Sequence, residues 1–199
     1  MNQNYYCIIL AGGPGIRIWP VSRQNKPKQF IDLLGTGETL IQTTYKRFLN
    51  FIDRDNIIVV TDKAYEQLVR EQLPDLPDGN LMLEPMKRNT IPPVIWASAE
   101  INRRNPNGVV VVSPCDQNIT DMPGGSFAEE MEKGLDYAHR HQRLLSVGVV
   151  PSRPEQAYGY AMGDHERRYS NDSRENREKN RRIEIYIIPD EGLIQKLKK

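Results

Sequence analysis

The sequence predicts an α/β fold, a three-layer sandwich built on a mostly parallel sheet. Two observations carry this. Short apolar runs, several rich in β-branched residues, alternate four times with stretches whose apolar residues recur at helical spacing. The residues just beyond those runs are glycines and polar or charged groups, where ligands bind in sheets of this kind.

The first run, Tyr5-Tyr6-Cys7-Ile8-Ile9-Leu10, reads as a buried strand entering the tight loop Ala11-Gly12-Gly13-Pro14-Gly15. A second loop carries Pro20, Pro27 and Gly35-Thr36-Gly37, and Thr39 then opens a helix marked by Leu40, Thr43, Thr44, Phe48 and Phe51. Ile57 to Val60 is the second strand, and Thr61-Asp62 is a helix-cap pair for the stretch with Tyr65, Leu68, Val69 and Leu73. Leu81-Met82-Leu83 is a short third strand ending at Glu84-Pro85, followed by a helix through Val94, Ala97, Ser98 and Ile101. Val109 to Val112 is four consecutive valines, a pattern suited to a strand buried on both faces. Residues 124 to 142 read as a helix and 144 to 150 as another strand.

Beyond Pro151 the character changes. Residues 164 to 182 mix seven basic with five acidic side chains and one histidine, without apolar periodicity, so a solvated mobile loop is expected. Ile183 to Ile188 alternates like a strand, and residues 191 to 199 resemble a helix start. The expected organisation is a nucleotide-binding core over 1–163, a charged loop over 164–182 and a remnant of a further region over 183–199.

Composition narrows the function. The 199 residues carry a formal net charge of +1, which gives no reason to invoke nucleic acid or a membrane surface as partner. The two cysteines, Cys7 and Cys115, form no disulfide framework and have no partner at metal-ligand spacing. The chain begins without a basic or apolar leader and has no run long enough to cross a bilayer, so a cytoplasmic protein is expected. A homo-oligomer is compatible with all of this. His139, His141 and His165 are scattered and suggest no metal site.

A glycine-rich turn after a strand lets backbone N–H groups approach phosphate oxygens without interference from a Cβ. This one is followed by neither the Gly-Lys-Ser/Thr of a Walker loop nor the glycine spacing of a dinucleotide fingerprint. It continues instead through Arg17, Trp19-Pro20 and Lys26-Pro27-Lys28-Gln29-Phe30. Residues 10 to 30 resemble the pyrophosphorylase signature of sugar-1-phosphate nucleotidylyltransferases. The tryptophan before proline and the Pro-Lys-Gln-Phe form are similar to the mannose-1-phosphate guanylyltransferase branch. The resemblance implies a Rossmann-like sandwich of the nucleotide-diphospho-sugar transferase type. It also implies a reaction: GTP and mannose 1-phosphate give GDP-mannose and pyrophosphate, with Mg²⁺.

Such chemistry joins two anions, so the protein must supply positive charge and positioning. By resemblance, Arg17 and Lys28 are the catalytic cations. Leu10, Ala11, Gly12, Gly13 and Gly15 line the nucleotide phosphates. Glu84, Asn89 and Thr90, within Glu84-Pro85-Met86-Lys87-Arg88-Asn89-Thr90-Ile91-Pro92, resemble the family's base-pocket segment. A carboxylate at Glu84 can accept from the adjacent N1–H and N2 amino groups of guanine, which adenine lacks. Thr90 and Pro92 also suit a helix entry. Asp116, just past the valine strand, is the implied Mg²⁺ ligand, with Gln117 where the family has histidine. Cys115 is read as a buried neighbour rather than a nucleophile. Gly159, in Tyr158-Gly159-Tyr160, is the implied sugar contact.

The resemblance covers residues 10 to 160 and then decays. The family's glutamate-lysine-proline motif finds only Ile187-Ile188-Pro189 here. The nucleotide half is expected to be present and the sugar half truncated. The alternatives are a nucleotide-binding pseudoenzyme or an enzyme for another sugar 1-phosphate.

Overall fold

The computed structural model describes residues 1–13, 15, 18–86, 89–119, 125–147 and 187–188. Four strands, β1 (Tyr5–Leu10), β2 (Ile57–Asp62), β3 (Leu81–Glu84) and β4 (Val109–Pro114), form one sheet in the order β3-β2-β1-β4. Every neighbouring pair is parallel, with Leu10 level with both Val60 and Pro114. Four helices lie between and after them: α1 (Leu40–Leu49), α2 (Glu66–Gln72), α3 (Ile91–Arg104) and α4 (Phe127–His141).

Strand alternation sorts the core into two layers. Tyr5, Cys7 and Ile9 of β1, with Ile57 and Val59 of β2, pack against Ile41, Tyr45 and Phe48 of α1, Val69 of α2 and Leu135 of α4. The opposite face presents Tyr6, Ile8, Ile58, Val60 and Met82 to Ala97 and Ile101 of α3. Successive strand residues point to opposite faces, so a continuous apolar run is what a sheet covered on both sides requires. Phe48, Phe51 and Phe127 meet edge-on or tilted, with ring centroids 5.6 to 6.2 Å apart.

By its contacts the chain divides into two compact units, Met1–Asp136 and Tyr137–Lys199. The described part of the second contains the end of α4 and an antiparallel pair, β5 (Leu144–Leu145) with β6 (Ile187–Ile188). Of the expected strand over 144 to 150, Leu144–Leu145 forms the pair and Ser146 and Val147 lie outside it, while 148–150 are not described; of that over 183 to 188, only 187–188 are described. The charged tract lies outside the described residues.

Three expectations are corrected. The valine strand was expected to be buried on both faces. It is instead an edge of the described sheet, with Val109 to Val111 half-buried and Val112 40% exposed. Thr61 does not cap a helix: it stays in β2 and turns its hydroxyl to the carbonyl of Ala11, 2.9 Å away. Asp62 alone caps, accepting from Ala64 N–H at 2.7 Å at the start of a 3-10 turn, Lys63–Tyr65, ahead of α2. Thr90 holds the N-cap position of α3 without a side-chain cap bond, and Pro92 and Pro93 fill the first turn instead.

Candidate nucleotide-binding site

The carboxyl ends of β1, β2, β3 and β4 deliver Ala11, Thr61, Glu84 and Cys115-Asp116 to one edge of the sheet. Ala11 is 1% exposed, and its N–H extends the ladder to the carbonyl of Val60 at 2.8 Å. Its carbonyl accepts from Thr61 Oγ1 and from Gln29 Nε2 at 2.8 Å, while Gln29 Nε2 also reaches the carbonyl of Gly13 at 2.9 Å. The start of the glycine loop is thereby fastened from two sides.

Two glycines are tightly placed, and only the second admits no side chain. A Cβ on Gly12 would stand 3.1 Å from Glu84 Oε2, tighter than ordinary contact. Gly15 has φ of +66°, and a Cβ there would collide with Ser22 Oγ and approach Lys28 N at 3.1 Å. Glu84 itself is only 9% exposed, so its carboxylate lies against the loop rather than out in water.

Lys28 and Gln29 come from one short 3-10 turn, Lys28–Phe30. Phe30 is fully buried and anchors the turn, packing its ring 5.7 Å from that of Tyr65. That anchoring turns Gln29 inward and leaves Lys28 at the rim, where its ammonium donates to a carboxylate oxygen of Asp116. The two side chains are 30% and 33% exposed. An ion pair this wet contributes only about 0–1 kcal/mol to stability. The loop bearing Asp116 is held from behind by α1: Thr44 Oγ1 donates to the carbonyl of Cys115 at 3.4 Å and Arg47 Nη2 to that of Gln117 at 3.3 Å.

The Cys115 thiol is 3% exposed, and burial, reinforced by the neighbouring Asp116 charge, pushes its pKa up to about 12. At neutral pH it is a protonated, inert group, in keeping with the reading of the sequence.

Of the sequence-predicted residues, Leu10, Ala11, Gly12, Gly13, Gly15, Lys28, Glu84 and Asp116 gather at this edge. Asn89 and Thr90 follow on the exposed entry to α3, Asn89 in the left-handed region with φ of 64°. Arg17 and Gly159 lie outside the described residues. The sequence assigns no site role to Gln29 or Arg47, and it marks Thr61 only as a helix cap. For Gln29 the signal was present in Pro27-Lys28-Gln29-Phe30, since an amide next to a core aromatic needs a buried partner.

A glycine loop after the first strand, with a lysine and an aspartate paired beside it, is an arrangement suited to holding polyphosphate. The comparison with known families decides which lineage built it: the nucleotidyl transferase model matches residues 6–174. The chain belongs to the nucleotidyl transferase family. It is 36% identical over 155 residues to the mannose-1-phosphate guanylyltransferase of Salmonella montevideo, covering 77% of this chain and 31% of that protein. It is 35% identical over 163 residues to the Escherichia coli (strain K12) protein of the same name, covering 80% and 33%. Among solved structures it resembles a mannose-1-phosphate geranyltransferase, so titled, from Thermus thermophilus. The identity is 28% and the TM-score 0.65, over 78% of this chain and 44% of that one. The family assignment agrees with the fold predicted from the sequence. The chain spans about a third of the length of these curated relatives.

Among the described residues no three His, Cys, Asp or Glu side chains cluster to hold a metal ion, and no helix is long and apolar enough to cross a membrane. Mg²⁺ does not need such a cluster: it is commonly held by one or two carboxylates together with substrate phosphates and water. Asp116, whose carboxylate accepts from Lys28 at the rim, offers one such carboxylate.

Proposed function

We propose that this chain carries the nucleotide-binding part of a guanylyltransferase that makes GDP-mannose and pyrophosphate from GTP and mannose 1-phosphate. The observation that supports this most is the Lys28–Asp116 pair at the mouth of the glycine loop. As a pair one third exposed it contributes little to stability, and together the two supply a cation for phosphate and a carboxylate for its counter-ion. The relatives' names supply the sugar and the base.

In this reading GTP lies along Leu10 to Gly13 and Gly15, and the missing side chains of Gly12, Gly13 and Gly15 permit close backbone approach to its phosphates. The sugar phosphate oxygen attacks the α-phosphorus in line, and pyrophosphate leaves carrying the displaced negative charge. Lys28 places an ammonium at that developing charge, and Arg17 adds a forked contact to the leaving phosphates. Asp116 would hold Mg²⁺, which neutralises phosphate charge when bound. Glu84 accepts the paired donors of guanine, with Asn89 and Thr90 beside it, and Gly159 belongs to the sugar side. The working organisation is the nucleotide core at 1–163, the charged segment at 164–182 and the remnant at 183–199.

A second reading, a nucleotide-binding protein without turnover, is favoured by one observation. The position where the family has glutamate-lysine-proline is Ile187-Ile188-Pro189. Pyrophosphate release from GTP and Mg²⁺, with and without mannose 1-phosphate, separates the two. Sugar-dependent release is the expected result, while GTP binding without release selects the second reading. Calorimetry with GTP and ATP in parallel tests Glu84. Glu84→Gln should narrow the preference for GTP, and an unchanged ratio removes Glu84 from the base pocket.

A further inference from the structure

Gln29 is a polar side chain almost wholly removed from water, 1% exposed, in the turn that also carries Lys28. Burying an amide is unfavourable unless its groups are bonded, so the partners indicate what the residue serves. Its Nε2 donates to the carbonyls of Ala11 and Gly13, at 2.8 and 2.9 Å, the two that flank Gly12. From the neighbouring strand Thr61 Oγ1 donates to the same Ala11 carbonyl at 2.9 Å.

Both carbonyls are thus tied to the protein's own donors. A loop that receives phosphate through its N–H groups needs this, because a carbonyl oxygen turned toward a phosphate oxygen repels it. Among the described residues the N–H groups of Gly12 and Gly13 have no acceptor, and Gly13 is exposed. An apolar side chain of the same length would fill the space between Pro27 and Phe30 equally well. The amide is needed for the two carbonyls.

We propose that Gln29 is a positioning residue for anion binding: it fixes Ala11 to Gly13 in the conformation whose free N–H groups receive the triphosphate. This rests on the nucleotide-binding reading above. It also makes the Lys28–Phe30 turn a single device, with one residue supplying the cation and the next shaping the loop.

Gln29→Met in the full chain keeps the length of the side chain and removes both donors. GTP affinity, measured by calorimetry, should fall about tenfold or more, because the loop N–H groups lose their alignment on the charged phosphate oxygens. Guanosine binding, followed by ligand NMR, should not change, because guanosine has no phosphate. Thr61→Val removes only one of the donors to Ala11 and should give a smaller loss, again confined to GTP. Unchanged GTP affinity in Gln29→Met, or equal losses for GTP and guanosine, overturns the proposal. If Gln29→Met does not fold, Thr61→Val decides: a loss confined to GTP supports it, and none overturns it. Wild-type protein that binds no GTP overturns the nucleotide-binding reading itself, a result seen before any variant is made.

Discussion

Lys28 and Asp116 are neighbours in space although 88 positions separate them in the chain. Their pair is one third exposed, so water screens it and its loss is cheap for the fold. Lys28→Ala should therefore leave the urea midpoint unchanged while slowing turnover by about two to four orders of magnitude, the range for removing a preorganised charge from a transition state. The same rate loss is expected for Arg17→Ala. Turnover at the wild-type rate in either variant would remove that residue from the catalytic assignment. The family motif is what points to both residues. The motif did not make legible that Lys28 rests on Asp116, because an ion pair between distant segments depends on how the strands order themselves.

At the scale of elements, a glutamine network joins the Lys28–Phe30 turn to two helices. Gln72, at the end of α2, donates from Nε2 to the carbonyl of Phe30 at 3.1 Å. Its own carbonyl accepts from Gln42 Nε2 at 3.1 Å, and its Oε1 accepts from the Thr39 hydroxyl at 2.7 Å. Gln42 Oε1 in turn accepts from Thr39 N–H at 2.9 Å, so the entry to α1 is capped by a residue of its own first turn. Gln72→Leu should cost about 1–2 kcal/mol by urea unfolding, from the two side-chain bonds lost. It should also weaken GTP binding if the turn is positioned through α2. No change in unfolding would mean that water replaces these bonds without penalty. Periodicity announced each helix separately, and Thr39 marked the entry to α1. The network between them had no signature, since glutamines at 42 and 72 read only as polar surface.

At the scale of the molecule, β1 is the hub. It lies between β2 and β4, and its residues supply both layers of the core. Cys7, at its centre, is fully buried, and desolvation raises its pKa well above that of a free thiol. Cys115 stands at the site end of the same sheet, nearly as deeply buried. A thiol reagent at mildly alkaline pH should therefore label neither cysteine in the folded chain, and both at the rate of global unfolding. Rapid labelling of Cys115 alone would show that the end of β4 opens while the rest of the sheet holds. The outer surface is less complete than the core. Ile91, Ile95 and Trp96 of α3 are 70%, 63% and 44% exposed.

Local physics is enough for some of this. Apolar runs of strand length, helical periodicity and glycine-rich turns are properties of neighbouring residues, so the parallel α/β architecture and the glycine-rich loop after β1 could be read directly from the chain. The resemblance of residues 10 to 30 pointed to the reaction class proposed above, since joining two anions calls for positive charge and close positioning at one site. Only the tertiary structure decided the rest. It set the strand order that leaves the four valines at an edge of the described sheet, and it moved Thr61 from capping a helix to bracing Ala11. It also gave Gln29 its two carbonyls and placed Glu84 against Gly12. Each of these is a contact between segments far apart in sequence. No local pattern encodes such a contact, because it exists only once the sheet has fixed which strand ends lie side by side.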